Sequence, residues 1–203
     1  LLKVLQAVIG VVERRQTMPI LANILLVAKN GYIAVTATDL EVELVGTIEV
    51  LVEKPGEITV PARKLLDICR AVPEGAEIAI RKSGEKILVS SGKSRFSLMT
   101  LPGADFPVIQ DINTKQTLNI SQGVLRRILE KTHFSMAQQD VRYYLNGVLL
   151  ETKGRFLRAV ATDGHRLALC EVELDKNFSP EQQVILPRKG VLELQRLMVG
   201  EGD

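Results

Sequence analysis

A stretch of this chain returns in altered form about 124 residues later, and that recurrence constrains the fold more than any single residue. Asn23-Ile24-Leu25-Leu26 through Ala37-Thr38-Asp39 is matched by Asn146-Gly147-Val148-Leu149-Leu150 through Ala161-Thr162-Asp163. Arg63, Asp67 and Arg70 are matched by Lys189, Glu193 and Arg196, each triplet reading basic, acidic, basic at i, i+4 and i+7. A slightly drifting offset is what two diverged copies of one module show. The expected organisation is two similar domains, 1–110 and 111–203, joined through a proline- and polar-rich stretch at 101–116. The second copy stops soon after its second helix, so the chain reads as part of a repeat protein.

Four segments have helical periodicity. Leu1 to Arg15 sets Leu1, Leu5, Val8 and Val12 on one stripe. Pro61 to Val72 opens on proline and turns Leu65, Leu66, Cys69 and Val72 inward. Ser121 is an N-cap candidate for a helix to Lys131 that buries Val124, Leu125, Ile128 and Leu129. Pro187 to Met198 repeats the second pattern with Val191, Leu194 and Met198. Between the helices lie strands: Leu40, Val42 and Leu44 alternate with Glu41 and Glu43, and Val172 and Leu174 alternate with Glu171 and Glu173. Asn30-Gly31 is a hairpin turn, with Lys153-Gly154 at the matching place in the second copy. Ser83-Gly84-Glu85 and Ser91-Gly92-Lys93 punctuate a meander from Glu77 to Thr100. The class is α+β with antiparallel sheet.

The net charge of +2 hides a segregation. Each helical segment carries three bases and one acid: Lys3, Arg14 and Arg15 against Glu13; Arg63, Lys64 and Arg70 against Asp67; Arg126, Arg127 and Lys131 against Glu130; Arg188, Lys189 and Arg196 against Glu193. The helices are basic, so the strands and loops together are acidic. One basic helix is an ordinary solvated face. Four alike, in duplicated positions, fit a wall that holds nucleic acid through its phosphates without reading sequence.

Ala161-Thr162-Asp163-Gly164-His165-Arg166-Leu167 is the most distinctive string. Asp163 and His165 have the residue types of an acid/base pair, which would make the chain a two-domain, hydrolase-like enzyme. The only other histidine, His133, lacks ligand spacing around it, and no phosphate-binding glycine loop or nucleophile elbow occurs. The other reading is an exposed groove with the Thr162 methyl and Leu167 as its floor. Arg142-Tyr143-Tyr144 reads either as a strand entry with one ring buried or as a stacking platform for bases or partner side chains. No apolar run reaches the roughly 20 residues that span a bilayer. The start at Leu1-Leu2-Lys3 carries no signal-peptide pattern and reads as a truncated beginning. Cys69 and Cys170 lie in apolar segments and read as small buried thiols of a cytoplasmic protein. No cofactor or metal is expected.

Several strings together resemble the bacterial sliding-clamp family, the beta subunit of DNA polymerase III. In the first copy these are Pro19-Ile20-Leu21 with Asn23, Ala37 to Glu41, Val60 to Lys64, Ser94 to Leu98 and Ala104 to Pro107. In the second they are Phe134 to Ala137, Asp140 to Gly147, Ala161 to Leu167 and Pro187 to Gly190. The resemblance runs essentially end to end. It implies the DNA clamp fold: repeated domains with antiparallel sheets outside and two helices per domain on the inner face. The first domain would lack its opening strand, the second its last third, and a third domain would be absent.

The resemblance also implies a processivity factor without catalysis. It would encircle double-stranded and primed DNA as a homodimer ring when full length, with no membrane association. Its partners would be the polymerase III alpha subunit, the clamp loader and other proteins bearing clamp-binding motifs. Helix bases Arg63, Arg70, Arg126, Arg127, Arg188, Lys189 and Arg196 would face DNA, joined through the resemblance by Arg15, Gln139, Tyr143 and Tyr144. The partner-peptide groove would take in Arg142, Tyr144, Leu145, Thr162, Gly164, His165, Arg166 and Leu167. Lys93, Arg95 and Phe96 would sit on the edge meeting the neighbouring subunit. An alternative outside DNA metabolism is an interaction scaffold whose basic helices face an acidic protein.

Overall fold

A computed structural model describes residues 1–12, 18–109 and 117–198, without the side chain of Lys176. The chain divides into two compact units, Leu1–Ile112 and Asn113–Asp203, each described by itself.

In the first unit, β1 (Asn23–Lys29), β2 (Tyr32–Thr38), β3 (Glu43–Glu49) and β4 (Gly56–Pro61) form an antiparallel sheet in the order β3-β2-β1-β4. The β1–β2 turn is the expected Asn30-Gly31, with φ of 37° and 87° and Lys29 paired to Tyr32. Two residues at positive φ match the strand twist, and Asn-Gly supplies them at little steric cost. A second sheet is the predicted meander: β5 (Ala79–Ser83), β6 (Lys86–Ser91) and β7 (Ser94–Met99), in sequence order.

Helices α1 (Leu2–Val8) and α2 (Ala62–Ala71) pack against each other and against the four-stranded sheet. Leu5, Val8, Val12, Leu65, Leu66 and Cys69 are buried as their spacing requires, while Val72 is half-buried. They meet Ile24, Leu26, Val35 and Val60, and the second sheet adds Ile87, Val89 and Leu98 to the same core. Fully burying each such side chain is worth about 1.5–3 kcal/mol. Burial raises the pKa of the Cys69 thiol and keeps it protonated. α1 comes so close to β3 that a Cβ on Gly46 would lie 2.6 Å from Val4 Cγ1.

Two expectations fail here. The first helix ends at Val8 rather than Arg15: Val11 and Val12 donate to Val8 and Ile9 in tight i→i−3 turns. Gly10 and β-branched neighbours favour that departure from the helix. Glu13, Arg14 and Arg15 lie outside the described residues. The alternation at Leu40, Val42 and Leu44 does not mark a strand from residue 40. Leu40 has φ of 80° and is exposed in a turn, and β3 starts at Glu43. The stretch read as a connector also belongs partly to this unit, since Phe106 is buried against Ile20, Leu21 and Leu25.

In the second unit, β8 (Gly147–Thr162) and β9 (Leu167–Pro187) pair antiparallel in two stretches, 147–152 with 182–187 and 156–162 with 167–173. Arg158 Nη1 donates to Glu151 Oε2 at 2.9 Å, whereas seven extended residues span about 23 Å. β8 therefore doubles back between them. The four stretches correspond to β1, β2, β3 and β4, because Asn23↔Pro61 and Thr38↔Glu43 are matched by Gly147↔Pro187 and Thr162↔Leu167. Asn23 thus corresponds to Gly147 rather than Asn146. The reversal corresponds to Gly154-Arg155 rather than Lys153-Gly154, with only Gly154 at positive φ, 58°.

α3 (Gln122–Glu130) and α4 (Arg188–Leu197) pack together and against β8 and β9. Ser121 caps α3 by accepting from Val124 N at 3.3 Å. Ile128, Leu129, Val191 and Met198 are buried with Val148, Leu157, Ala159 and Ala161, while Val124, Leu125 and Leu194 are half-buried. His133 Nδ1 lies 3.0 Å from Leu129 O and 3.3 Å from Gln195 Nε2, tying the end of α3 to α4. Cys170 is free and only half-buried. No helix among the described residues is long and apolar enough to cross a membrane.

Candidate functional site

Thr162-Asp163-Gly164-His165-Arg166 is a turn built by its own side chains. Thr162 Oγ1 donates to Arg166 O at 2.7 Å and accepts from Gly164 N at 3.1 Å. Asp163 Oδ1 accepts from His165 N and Arg166 N, both at 2.9 Å, and its Oδ2 takes Arg166 Nε at 3.0 Å. Those two backbone donors, with the Arg166 side chain, lower the Asp163 pKa to about 2. The first unit builds the same turn: Thr38 Oγ1 donates to Val42 O, and Asp39 Oδ1 accepts from Glu41 N and Val42 N. An aspartate with the same work in a copy that has no histidine is a turn-forming residue. The hydrolase reading is therefore not favoured.

Facing this turn is a second braced segment. Asp140 takes Arg142 N at 2.8 Å, Arg142 Nε at 3.0 Å and Arg142 Nη2 at 2.9 Å. The guanidinium's two bonds, with the amide, lower the Asp140 pKa to about 2 and raise that of Arg142. Asn146 fixes the loop by accepting from Asp140 N and donating to Asp140 O. A Cβ on Gly164 would lie 3.5 Å from Arg142 Nη2, so the two segments nearly touch. Between them is a cavity of about 340 Å³. Of the residues read as a partner groove, Arg142, His165 and Arg166 line this cavity, whereas Tyr144, Leu145, Thr162, Gly164 and Leu167 do not.

The other lining residues are Phe134, Met136, Ala137, Gln138, Asp140 and Asp163. Phe134 is half-exposed with the Arg166 guanidinium 6.0 Å from its ring centroid, a cation–π contact. Phe134, Met136, Ala137 and Asp140 were legible only within matching strings and Gln138 not at all, because nothing in their spacing says that the loop after α3 folds back to the turn after β8. The Thr162 hydroxyl is consumed by the turn, and Leu167 lies on the exposed start of β9.

The tyrosines correct one expectation. Tyr143 and Tyr144 sit in a single 3-10 turn, Tyr143–Leu145, that leads through Asn146 into β8, so the strand entry holds, but neither ring is buried. Their centroids are 6.0 Å apart, edge to face. Gln139 is exposed at φ of 55°.

Of the helix bases, Arg70, Arg126 and Arg196 pair with Asp67, Glu130 and Glu193 on their own helices. Arg63 reaches Val12 O at 3.5 Å. Arg127 and Arg188 have no ion pair among the described residues. Arg15 lies outside them. The acidity outside the helices is uneven, against the expectation: β5 to β7 carry Arg81, Lys82, Lys86, Lys93 and Arg95 against Glu85 alone. None of those five cations has an ion pair among the described residues. Lys93 lies in the turn before β7, while Arg95 and Phe96 are on that edge strand.

Comparison with known proteins identifies relatives over both units. A family model described as the DNA polymerase III beta subunit, N-terminal domain, matches residues 1–110, and one described as the central domain of that subunit matches 119–203. The beta sliding clamp of Pseudomonas putida is 56% identical over 199 residues, and that of Escherichia coli K12 is 53% identical over 204 residues. These matches take in 98% and 100% of this chain but 54% and 55% of the relatives. The chain thus spans about half their length. The crystal structure of a DnaN sliding clamp from Pseudomonas aeruginosa bound to griselimycin superposes with a TM-score of 0.92 at 54% identity, covering 100% of this chain and 55% of that one. A Caulobacter crescentus beta sliding clamp gives a TM-score of 0.92 at 40% identity, over 98% of this chain and 55% of that chain.

Proposed function

Because the chain belongs to the DNA polymerase III beta subunit family, the beta sliding clamps, we propose that it forms part of a ring that encircles duplex DNA. The ring holds the replicative polymerase on its template and catalyses no reaction. Tethering turns each rebinding into a local event at high effective concentration, which raises processivity without chemistry. The observation that carries this reading is the paired helices of each unit, packed on one face of its sheet with bases turned to solvent. Arg63, Arg70, Arg126, Arg127, Arg188, Lys189 and Arg196 face the DNA in this reading, with Arg15, Gln139, Tyr143 and Tyr144 as further contacts. Contacts to phosphate alone allow sliding because they carry no sequence information.

Arg142, Tyr144, Leu145, Thr162, Gly164, His165, Arg166 and Leu167 form one side of a groove for short linear peptides. Those peptides come from the polymerase alpha subunit, the clamp loader and other clamp-binding proteins. Griselimycin, to which a Pseudomonas aeruginosa clamp was solved bound, is a ready probe of it. The β7 edge with Lys93, Arg95 and Phe96 meets the next subunit, and the uncompensated cations around it favour an acidic counterpart there.

Reversing two helix charges, Arg127→Glu with Arg188→Glu, tests the central claim in the assembled ring. DNA affinity should fall, and the slope of log affinity against log salt should shrink by about 2. Partner-peptide affinity should not change. Unaltered DNA retention with lost partner binding would instead favour the scaffold reading.

A further inference from the structure

Asn146 has a duty that the duplication does not explain. The sheet registers set Gly147 against Asn23, so Asn146 stands where the first unit has Ala22. A methyl group there makes no hydrogen bond. The Asn146 side chain makes two, both to the main chain of one residue: Oδ1 accepts from Asp140 N at 3.0 Å, and Nδ2 donates to Asp140 O at 2.9 Å. A carboxamide sets a donor and an acceptor side by side, which neither a carboxylate nor an aliphatic side chain can do.

The main chain of Asn146 is anchored in turn. Its carbonyl accepts from the N–H of Arg188, the first residue of α4, at 2.8 Å. A Cβ on Gly147 would collide with Leu186 O, so glycine is what lets β8 and β9 close up at this point. From that anchor a chain of bonds runs outward. Asn146 holds the Asp140 backbone, and the Asp140 carboxylate holds the amide and guanidinium of Arg142. Leu145 N donates to Arg142 O at 2.9 Å and Asn146 N to Tyr143 O at 3.0 Å, which closes the 3-10 turn between the two ends of the loop. Arg142 lines the cavity and Asn146 does not.

We propose that Asn146 is a positioning residue of the partner site, a latch that ties loop 140–146 to the start of α4 and so fixes where Arg142 enters the cavity. It touches no peptide itself and acts through Asp140. That the cavity belongs to a partner site rests on the groove reading. The latch rests on its own bonds. A carboxylate at 146 would keep the acceptor for Asp140 N but set a second oxygen against Asp140 O, leaving that carbonyl without its donor. Protonating the new carboxyl returns the donor. Asp140 stays ionised meanwhile, because its own pKa is about 2.

The test is Asn146→Asp in the full chain, read by amide exchange and by griselimycin affinity, each as the ratio of variant to unaltered chain at every pH. At neutral pH, exchange at Asp140, Arg142 and Leu145 should be at least tenfold faster, with Val148 to Leu150 as protected as before. Griselimycin should bind at least tenfold more weakly. Both ratios should return toward one as pH falls to about 4, where the new carboxyl takes its proton. Asp140, Arg142, Tyr143, Tyr144, Arg188 and, across the cavity, His165 are common to both chains, so the ratio isolates position 146. Recovery in acid also excludes a misfolded variant. Unchanged exchange at neutral pH overturns the latch, as does a loss that acid does not reverse. Acid-reversible exchange with griselimycin affinity unmoved overturns the positioning role. If the unaltered chain takes no griselimycin while exchange behaves as expected, the groove reading falls and the latch stands.

Discussion

Leu40 and Gly164 hold the same place in the two threonine–aspartate turns, with φ of 80° and 89°. For glycine that conformation is free; for leucine it costs on the order of 1–3 kcal/mol. Leu40→Gly should raise unfolding stability by about 1 kcal/mol, the relief of strain outweighing glycine's extra unfolded-state entropy, and Gly164→Leu should lower it. Urea midpoints would show both. The turn aspartates also set an acid limit. Asp163 and Asp140 have pKa values near 2, below the ordinary 3.8. A depressed carboxylate pKa contributes stability that is full above the unfolded value and is lost as pH falls from about 4 to about 2. Asp163→Asn should flatten the decline of the urea midpoint across that window, and an unchanged decline would assign it elsewhere. The sequence marked Ala161 to Leu167 as distinctive, but the structural duty of the aspartate emerges only from the matching backbone hydrogen bonds that Asp39 and Asp163 accept. The Arg142–Asp140 brace could not be read, since whether an arginine meets its own neighbour or a distant acid depends on loop geometry.

Among the elements, the helices were legible because a 3.6-residue period leaves one burial stripe, and Leu65, Leu66, Cys69, Ile128, Leu129 and Val191 fall on it. The end of α1 was not, since the stripe continues through Val11 and Val12 after helical bonding has given way to tighter turns. Alternation at residues 40 to 44 misled for a related reason: period two records side chains, not whether φ stays negative. Close packing of elements was also invisible. Gly46 is where α1 touches β3, and Gly46→Ala should cost about 1–3 kcal/mol by overpacking against Val4. Val4→Ala should recover most of that loss in a double-mutant cycle, and additive costs would deny the contact.

For the whole molecule, duplication was the strongest signal, and it carried through to the family and the fold. Charge was a partial one. Counting bases per helix identified basic helices but could not see that Arg70, Arg126 and Arg196 are engaged by acids on their own helices. Such exposed pairs are weak, about 0.3–0.5 kcal/mol, so a phosphate can still displace them. The count also concealed the basic sheet of β5 to β7 inside an acidic remainder. Sequence by itself determined the repeat, the helix faces, the Asn30-Gly31 hairpin and the family, because each is written in local spacing or in strings of residue types. Tertiary structure alone decided that Asn23 answers to Gly147, that Phe134 meets Arg166, and that residues 101–109 cross the outer face of the first sheet. Those outcomes depend on register and on contacts between residues far apart in the chain. Such contacts form only when the whole sheet has closed, and no local pattern encodes them.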